Sequence, residues 1–469
     1  MAKILQQNLF SWQDVDAKSD LERLRLVLDY LPDEKLMQKL ERMRGQGRDD
    51  YPVRAVWNSI IAGIVYQHVS IESLRRELLR NGELRDMCGF DPIKGADAVP
   101  PSWVYSRFLK NLFKCEEEIK EMFNMLVEML VELLPDFGEK LAVDSKAVDS
   151  AGKPTKKEEG DGRRDTDADW GRKEYKGKRE DGTYWEKIVK WFGYKIHLLV
   201  DSKYELPIGY KVTRASASDS AELLPLVSDC AKRHPEVIKR ANELCADKGY
   251  DSEDNNRILY DDYEIKPVID IRNMWKDRDE THPLYSNKVD NIIYNYCGRV
   301  FCFCCKTGKQ REMAFKGFEA KRKALKYVCP VYAYGIECEG MNECYGKGKR
   351  IVRIPLKTDR RIFTPIARSS YRWERAYKSR TAVERVNSRL DGSFGFERHF
   401  IHGLPKMRVR AGVSFIVMLT IAVGRIKEKQ KFHCCVAQSS IKGKKSIKIG
   451  DFGINKEEVY LNNGIFVFF

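Results

Sequence analysis

Two short apolar runs, "LAVD" at 141–144 and "LCAD" at 244–247, constrain this chain more than any other feature. Each is strand-like and each stops on an aspartate. Around them the sequence alternates. "EKLAVDSKAV" reads as a strand, "YKIHLLVDSKYELPIGYKVT" as a hairpin turning at "DSKYELP", and "SDSAELLPLVSDCAKRH" as a helix with Ser218 or Asp219 near its cap. "ELCADKGYDS" is the next strand, with Gly249 turning into the helix "SEDNNRILYDD", and "YEIKPVIDI" completes the set. Strands alternating with helices predict an α/β core on a mixed sheet.

The text before this core has another texture. "SDLERLRLVLDYLP", "YPVRAVWNSIIAGIVYQHV", "SIESLRRELLRN" and "PPSWVYSRFLKNLFKCEEEIKEMFNMLVEMLVELLP" repeat apolar residues at three-and-four spacing, so residues 1–136 form a helical N-terminal domain. Ser70 and Ser102 are the expected N-caps, and Pro101 marks a boundary. Arginines at 75, 76 and 80 sit beside "RNGEL", a turn that fits a helix-turn-helix and an ordinary bundle equally well. The stretch 150–182 is polar, with scarcely any aliphatic residue, and reads as a long exposed loop. Residues 137–272 and 365–425 are the two parts of the core, and 273–364 is an insertion between them. A basic tail, 426–469, carries Cys434 and Cys435 and ends in "GIFVFF".

With 469 residues and 43% apolar content, a sizeable core is assured. A formal charge of +15 favours a polyanionic partner, most simply nucleic acid. The opening "MAKILQQNLFSWQDVD" lacks a basic segment followed by a continuous apolar one, so a cytoplasmic protein is expected. The most apolar run, "AGVSFIVMLTIAVG" at 411–424, suits a buried helix and is too short to span a bilayer.

Asp144 and Asp247 each stand at the C-terminal end of an apolar strand, the edge at which open α/β sheets bind ligands. Glu384, in "YKSRTAVERVNSRLDG", arrives on a later helix that can pack along that edge. Three converging carboxylates repel one another unless a cation sits among them, and Mg²⁺ is the usual oxygen-loving occupant. Two such ions can polarise a phosphodiester and activate a water or a 3′-hydroxyl. On one continuous helix, Tyr377, Arg380, Glu384 and Asp391 fall at roughly 0°, 300°, 340° and 320°, whereas Arg385 and Arg389 fall near 80° and 120°. Glu384 would then share its face with an aromatic and a guanidinium suited to DNA phosphate. Lys195 and Lys248 are further candidate phosphate contacts, and His197 is expected to be packed or DNA-facing rather than catalytic.

These segments resemble the DDE transposases of bacterial insertion sequences, whose ribonuclease-H-like core ends in a Tyr-x2-Arg-x3-Glu-x6-Lys motif. The resemblance is carried by "LAVDSKAV", "WFGYKIHLLVDSKYELPIGYKVTRASASDS", "LCADKGYDS" and "YKSRTAVERVNSRL", and it extends back to the helical block beginning "LPDEKLMQKL". It implies an α/β ribonuclease-H-like fold in which Asp144, Asp247 and Glu384 bind Mg²⁺ or Mn²⁺. Tyr377 and Arg380 would contact the DNA end. It further implies terminal inverted repeats bound by the helical domain, a target DNA, a homodimeric synaptic complex and a bacterial, nucleoid-associated location. One position departs: the motif's lysine falls at Asp391. A cation from elsewhere, such as Lys378 or one in "ERHFIHGLPKMRVR", replaces it, or activity is impaired.

The insertion holds seven of the thirteen cysteines, Cys297, Cys302, Cys304, Cys305, Cys329, Cys338 and Cys344. Cys302 and Cys305 have the C-x2-C spacing of a zinc clamp, and Cys329, Cys338 and Cys344 can supply further thiolates to a structural Zn²⁺ site. Reduced core cysteines are the competing reading. Residues 306–326 carry eight Lys or Arg against two Glu, interleaved with Phe315 and Phe318. A solvated face is the competing reading, and the resemblance, whose members carry an insertion at this place, favours a DNA-contacting segment. Three functions fit these features: a transposase, a non-catalytic DNA-binding descendant of one, and a general metal-dependent nuclease.

Overall fold

The apolar periodicity of the N-terminal region resolves into α1 (Trp12–Asp16), α2 (Asp20–Tyr30), α3 (Glu34–Arg44), α4 (Val53–Val65), α5 (Ile71–Arg80), α6 (Gly82–Cys88), α7 (Ser102–Leu112) and α8 (Glu116–Leu133). The computed structural model describes residues 10–441, apart from 17, 47–49, 153–164, 180, 182, 278, 285–290 and 346–350. Ser70 caps α5, accepting from the Ser73 N–H at 3.2 Å. Ser102 does not cap α7: it is the first helical residue, and Pro101 takes the cap position with no side-chain bond. Helices α5 and α6 meet at Asn81, which ends one and caps the other. This leaves no room for the three- or four-residue turn of a helix-turn-helix, so "RNGEL" belongs to a bundle.

Helix α8 joins the bundle to the sheet. Three glutamates in its first turn complement the helix dipole, and Ile119, Met122, Phe123, Leu126, Val127 and Leu130 form one buried stripe.

The core sheet contains β1 (Lys140–Asp149), β2 (Asp169–Lys178), β3 (Tyr184–Asp201), β4 (Leu206–Arg214), β5 (Glu243–Ala246) and β6 (Lys266–Ile269). Its order is β2-β3-β1-β5-β6, with β4 also on β3. Strand β3 runs antiparallel to both β1 and β4, β5 runs parallel to β1, and β6 runs parallel to β5, so the sheet is mixed. Helices α9 (Asp219–Arg233), α10 (Pro235–Arg240) and α11 (Glu253–Asp261) fill the connections to β5 and β6. The ring of Phe123 meets Tyr210 of β4 edge-on at 4.9 Å, which lays α8 on the sheet.

The polar stretch at 150–182 is not one loop. Residues 153–164 lie outside the described part, but 169–178 form β2, whose ten residues pair with the first half of β3. That half of β3 is exposed from Tyr184 to Lys190, so the two strands stand out from the sheet as a ribbon. Its run of charged residues hides the strand in the sequence.

The insertion folds on its own core. Strands β7 (His282–Pro283), β8 (Ile292–Tyr294), β9 (Val300–Phe303) and β10 (Gln310–Glu312) form one sheet, and β11 (Ala314–Glu319), β12 (Ala324–Val328) and β13 (Ile351–Pro355) form another. Two short helices, α12 (Pro330–Tyr334) and α13 (Met341–Tyr345), lie between β12 and β13. Phe315 and Phe318 pack against the cluster that includes Met313, Leu325 and Tyr327. Those two aromatics are therefore partly buried against the insertion's own core rather than displayed for DNA.

The chain returns through α14 (Tyr371–Tyr377), α15 (Thr381–Gly392) and α16 (Leu404–Ile441). Residues 1–424 form one compact unit and 425–469 a second. The apolar run belongs to a helix longer than itself, and Leu404–Gln430 is long and apolar enough to cross a membrane. In the first unit, however, residues 411–424 are all buried. Gly412 lets the helix approach closely, since a Cβ there would stand 2.6 Å from both Ile119 and the Tyr210 hydroxyl. The tail beyond 441, with "GIFVFF", and the Cys434 and Cys435 side chains lie outside the described residues.

Candidate active site

The parallel register of β1 and β5 brings the two aspartates together. Val143 pairs with Ala246, so Asp144 and Asp247 occupy the next step. Asp247 follows the end of β5, but Asp144 does not end its strand as expected, because β1 runs on to Asp149 in its pairing with β3. Each carboxylate is aimed by a local bond: Asp144 Oδ1 accepts from the Ser145 N–H at 2.7 Å, and Asp247 Oδ1 from the Gly249 N–H at 2.8 Å. A Cβ at Gly249 would stand 2.7 Å from Asp247 Oδ1 and push that carboxylate aside. Burial, and then the charge of Asp247, push the Asp144 carboxyl up to about 6, against the pull of Lys173 and Arg380.

Glu384 lies on the first turn of α15, half-exposed. The segment holding Tyr377 and Arg380 is not one continuous α-helix: α14 ends at Tyr377, and Lys378–Arg380 form a 3₁₀ turn before α15. Arg380 nevertheless reaches its expected neighbour. Its Nη2 donates to Glu384 Oε1 at 2.6 Å, and its Nη1 lies 3.5 Å from Asp144 Oδ2. The guanidinium thus bridges two of the three carboxylates. Tyr377 stacks on Trp373 at 4.9 Å, with Arg380 5.8 Å from its ring centroid, and burial pushes its hydroxyl up to about 12. The Cys245 thiol, donating to the Ala376 carbonyl at 3.2 Å, fastens α14 to β5. Arg385 and Arg389 face elsewhere, as the helix geometry predicts, and both pair with Glu205.

Over residues 135–420 the chain matches the family described as the transposase DDE domain. The chain belongs to the DDE transposase family. No curated protein matches it. The mixed sheet with its N-terminal helices is accordingly a ribonuclease-H-like transposase core, and DNA cleavage and transfer, DNA binding and divalent-metal dependence come with the family.

The transposase core fits such a metal by its donor set. Asp144, Asp247 and Glu384 offer only oxygen, as Mg²⁺ and Mn²⁺ prefer, and a cationic group already stands between two of them. The three are not drawn into one tight shell: their oxygens do not all lie within 4.8 Å of each other, and Arg380 holds the gap. Among the described residues, the group that meets that limit is Asp277, Asp279 and His282 in the insertion. There His282 is stacked on Trp275 and bonded to Asp277 at 2.8 Å.

A cation does stand against Asp391, and it comes from the sheet. Lys146, two residues beyond Asp144 on β1 and on the same face of the strand, sends its ammonium to Asp391 Oδ2 at 2.5 Å and Glu397 Oε1 at 2.8 Å. The cations expected in this role go elsewhere: Lys378 pairs with Glu374, Arg408 with Glu116, and Arg410 donates to the Phe396 carbonyl at 2.9 Å. A search for the cation along the helix misses Lys146. Its i, i+2 spacing from Asp144 is the signal that could have found it.

Asp219, legible in the sequence only as a helix cap, belongs to the same neighbourhood. A Cβ on Gly249 would lie 3.5 Å from Asp219 Oδ2, and Tyr250 feels the charges of Asp219, Asp144 and Asp247 together. Lys195 is committed to it: its ammonium donates to Asp219 Oδ1 at 3.0 Å and to the Ala217 carbonyl at 2.8 Å, and the side chain is buried. Lys248 is exposed beside Asp247. His197 is fully buried and bonded to Thr213 at 3.0 Å, as a packed residue is.

The insertion's cysteines also converge. Cys302, Cys304, Cys329, Cys338 and Cys344 line one small cavity of about 10 Å³, and Cys305 Sγ lies 3.8 Å from Cys344 Sγ. Cys297 does not line that cavity.

Proposed function

We propose that this transposase cuts and rejoins DNA at the terminal inverted repeats of its own insertion sequence, with Asp144, Asp247 and Glu384 as the metal-binding catalytic carboxylates. The observation that carries the reading is the adjacency of Asp144, midway along β1, and Asp247, just past the end of β5, tied to Glu384 through Arg380. Asp144, Asp247 and Glu384 would hold Mg²⁺ or Mn²⁺, which would supply polarisation of the scissile phosphate and activation of an attacking water or 3′-hydroxyl. The chain's own groups do the rest. Asp144 and Asp247 present oxygens fixed by neighbouring N–H groups, which reduces reorganisation when substrate arrives. Arg380 and Tyr377 lie beside Glu384, where a guanidinium can hold a phosphate bidentately and a ring can pack on the sugar. Lys248, exposed beside Asp247, extends the same basic edge.

Lys146 takes the part that the motif gives to a helix lysine: a positive charge on the face of β1 that carries Asp144, oriented by Asp391. That ammonium is shared by Asp391 and Glu397, so the group as a whole is negative where the motif has a lysine, and cleavage activity decides between an active enzyme and an impaired descendant. The ribbon of β2 and β3 adds a DNA-holding surface, with Trp170 and Tyr184 exposed among Arg172, Lys187 and Lys190. Two copies would hold the two ends of the element.

The test uses purified protein, labelled DNA from the borders of the coding region and Mg²⁺ or Mn²⁺. Strand cleavage at the repeat ends is expected, with loss of about 100-fold or more in Asp144→Ala, Asp247→Ala and Glu384→Ala. Undiminished cleavage in any of the three removes that residue from the centre, and equal cleavage of unrelated DNA replaces the transposase with a general nuclease.

A further inference from the structure

Spacing in the sequence assigns zinc to Cys302 and Cys305, with help from Cys329, Cys338 and Cys344. The geometry selects a different set. The strand β9 ends at Phe303, and the chain turns back through Cys304 and Cys305, with the Cys304 N–H donating to the Lys309 carbonyl at 3.1 Å and the Gly308 N–H to the Cys304 carbonyl at 2.8 Å. Facing this turn, Cys338 and Gly340 lead into α13 and Cys344 lies within it. The Cys344 N–H donates to the Gly340 carbonyl at 3.0 Å, and the Met341 N–H to the Cys338 carbonyl at 3.1 Å.

The two segments meet sulfur to sulfur. Cys305 Sγ is 3.8 Å from Cys344 Sγ, and Cys304 and Cys338 neighbour each other on one cavity. No three of these sulfurs yet lie within 4.8 Å of one another, so the two pairs must draw together around an ion. Four thiolates around one zinc at about 2.3 Å stand about 3.8 Å apart along each tetrahedral edge, so the Cys305–Cys344 thiol contact matches one such edge and is far longer than a disulfide bond of about 2 Å. Gly340 joins the pairs. A Cβ at that position would stand 2.5 Å from Cys305 Sγ and 3.0 Å from Cys304 Sγ, so only glycine admits both sulfurs. Backbone N–H groups of Lys306, Thr307 and Gly340 point at Cys304, and that of Gly340 also at Cys338. At Cys304 such donors favour thiolate over thiol, whereas burial and the neighbouring Cys304 sulfur hold Cys338 toward the thiol.

Cys302 and Cys329 are placed differently. Cys302 packs against the apolar cluster of the insertion, and Cys329 is buried at the start of α12. Both line the same small cavity, on elements other than the two segments that carry the paired sulfurs.

We propose that Cys304, Cys305, Cys338 and Cys344 bind one structural Zn²⁺ that fastens the turn after β9 to the start of α13. Binding releases the thiol protons that remain and closes the tetrahedron with no open position for substrate. The site is separate from the carboxylate centre, so it stands or falls independently of the DNA-cleavage reading.

The test is made on the full chain, purified under reducing conditions and analysed for zinc, with cobalt exchanged for zinc in a parallel sample. One zinc per chain is expected, together with the thiolate-to-cobalt charge-transfer band and intense visible bands of a tetrahedral four-sulfur site. These are read on the unmutated protein, so they do not depend on any variant folding. Cys302→Ser and Cys329→Ser are expected to retain the metal and the spectrum, while Cys304→Ser, Cys305→Ser, Cys338→Ser and Cys344→Ser lose or alter both. A chain that takes up neither metal, a disulfide between any of the four in mass spectra of the alkylated protein, or a spectrum lost in Cys302→Ser and kept in Cys304→Ser overturns the proposal.

Discussion

Replacing Lys146 by alanine removes the cation that β1 sets against Asp391, and the geometry of the pair bounds the cost. The ammonium lies 2.5 Å from Asp391 and 2.8 Å from Glu397, with side-chain exposures of 9% for Lys146, 26% for Asp391 and 64% for Glu397. Breaking a fully buried pair costs about 3–5 kcal/mol, but solvent reaches Asp391 in part and Glu397 freely, so the loss is about 2 kcal/mol. Urea unfolding of Lys146→Ala, Asp391→Asn and the double variant measures it. A coupling of about 1–2 kcal/mol between the two positions is expected. The functional arm is single-turnover cleavage. If Lys146 supplies a phosphate contact, Lys146→Ala loses about tenfold in rate, the worth of about 1.4 kcal/mol, and adding Asp391→Lys to it restores cleavage by returning the charge to the helix. A coupling near zero together with an unchanged cleavage rate in Lys146→Ala refutes the reasoning.

Three further outcomes are expected from other parts of the structure. Gly249→Ala forces a methyl to within 2.7 Å of Asp247 Oδ1, so cleavage should fall about tenfold or more while the melting temperature moves little; equal cleavage would show that Asp247 need not be held there. His234 is buried, bonded to Asn124 at 3.2 Å, and held neutral by burial with its pKa lowered from 6.5 to about 4. Because the folded value is the lower one, its contribution to stability is present above about pH 6.5 and is lost as pH falls through 4, by at most about 3 kcal/mol, so a pH series of melting curves should be flatter in His234→Gln. On the ribbon, Lys187→Ala with Lys190→Ala should weaken DNA binding and lower the slope of log affinity against log salt by about 0.9 for each phosphate no longer neutralised, and an unchanged slope takes DNA off that surface.

The sequence was most legible where one periodicity ruled. The stripe of α8 and the two apolar runs before Asp144 and Asp247 could be read directly, because each residue's neighbours along the chain decide its face, although β1 runs five residues past Asp144. It was least legible where a contact joins distant segments. Lys146 meets Asp391 across 245 positions, and no spacing within the Glu384 helix announces it. The same holds for the cysteines, whose C-x2-C spacing points to Cys302, while the fold packs that side chain against the apolar core and brings Cys304 to Cys338. Strand β2 was hidden for another reason: a ribbon standing out in solvent has no apolar alternation to show.

Whether Asp144, Asp247 and Glu384 act together through a divalent cation on DNA is measured most directly by metal rescue. Asp144→Cys and Asp247→Cys are assayed on terminal-repeat DNA in Mg²⁺ and again in Mn²⁺, which accepts sulfur more readily. Both variants are expected to be inactive in Mg²⁺ and to regain cleavage in Mn²⁺, while the alanine variants stay inactive in either metal. Cleavage by the alanine variants, or by the cysteine variants equally well in both metals, would contradict a shared metal centre.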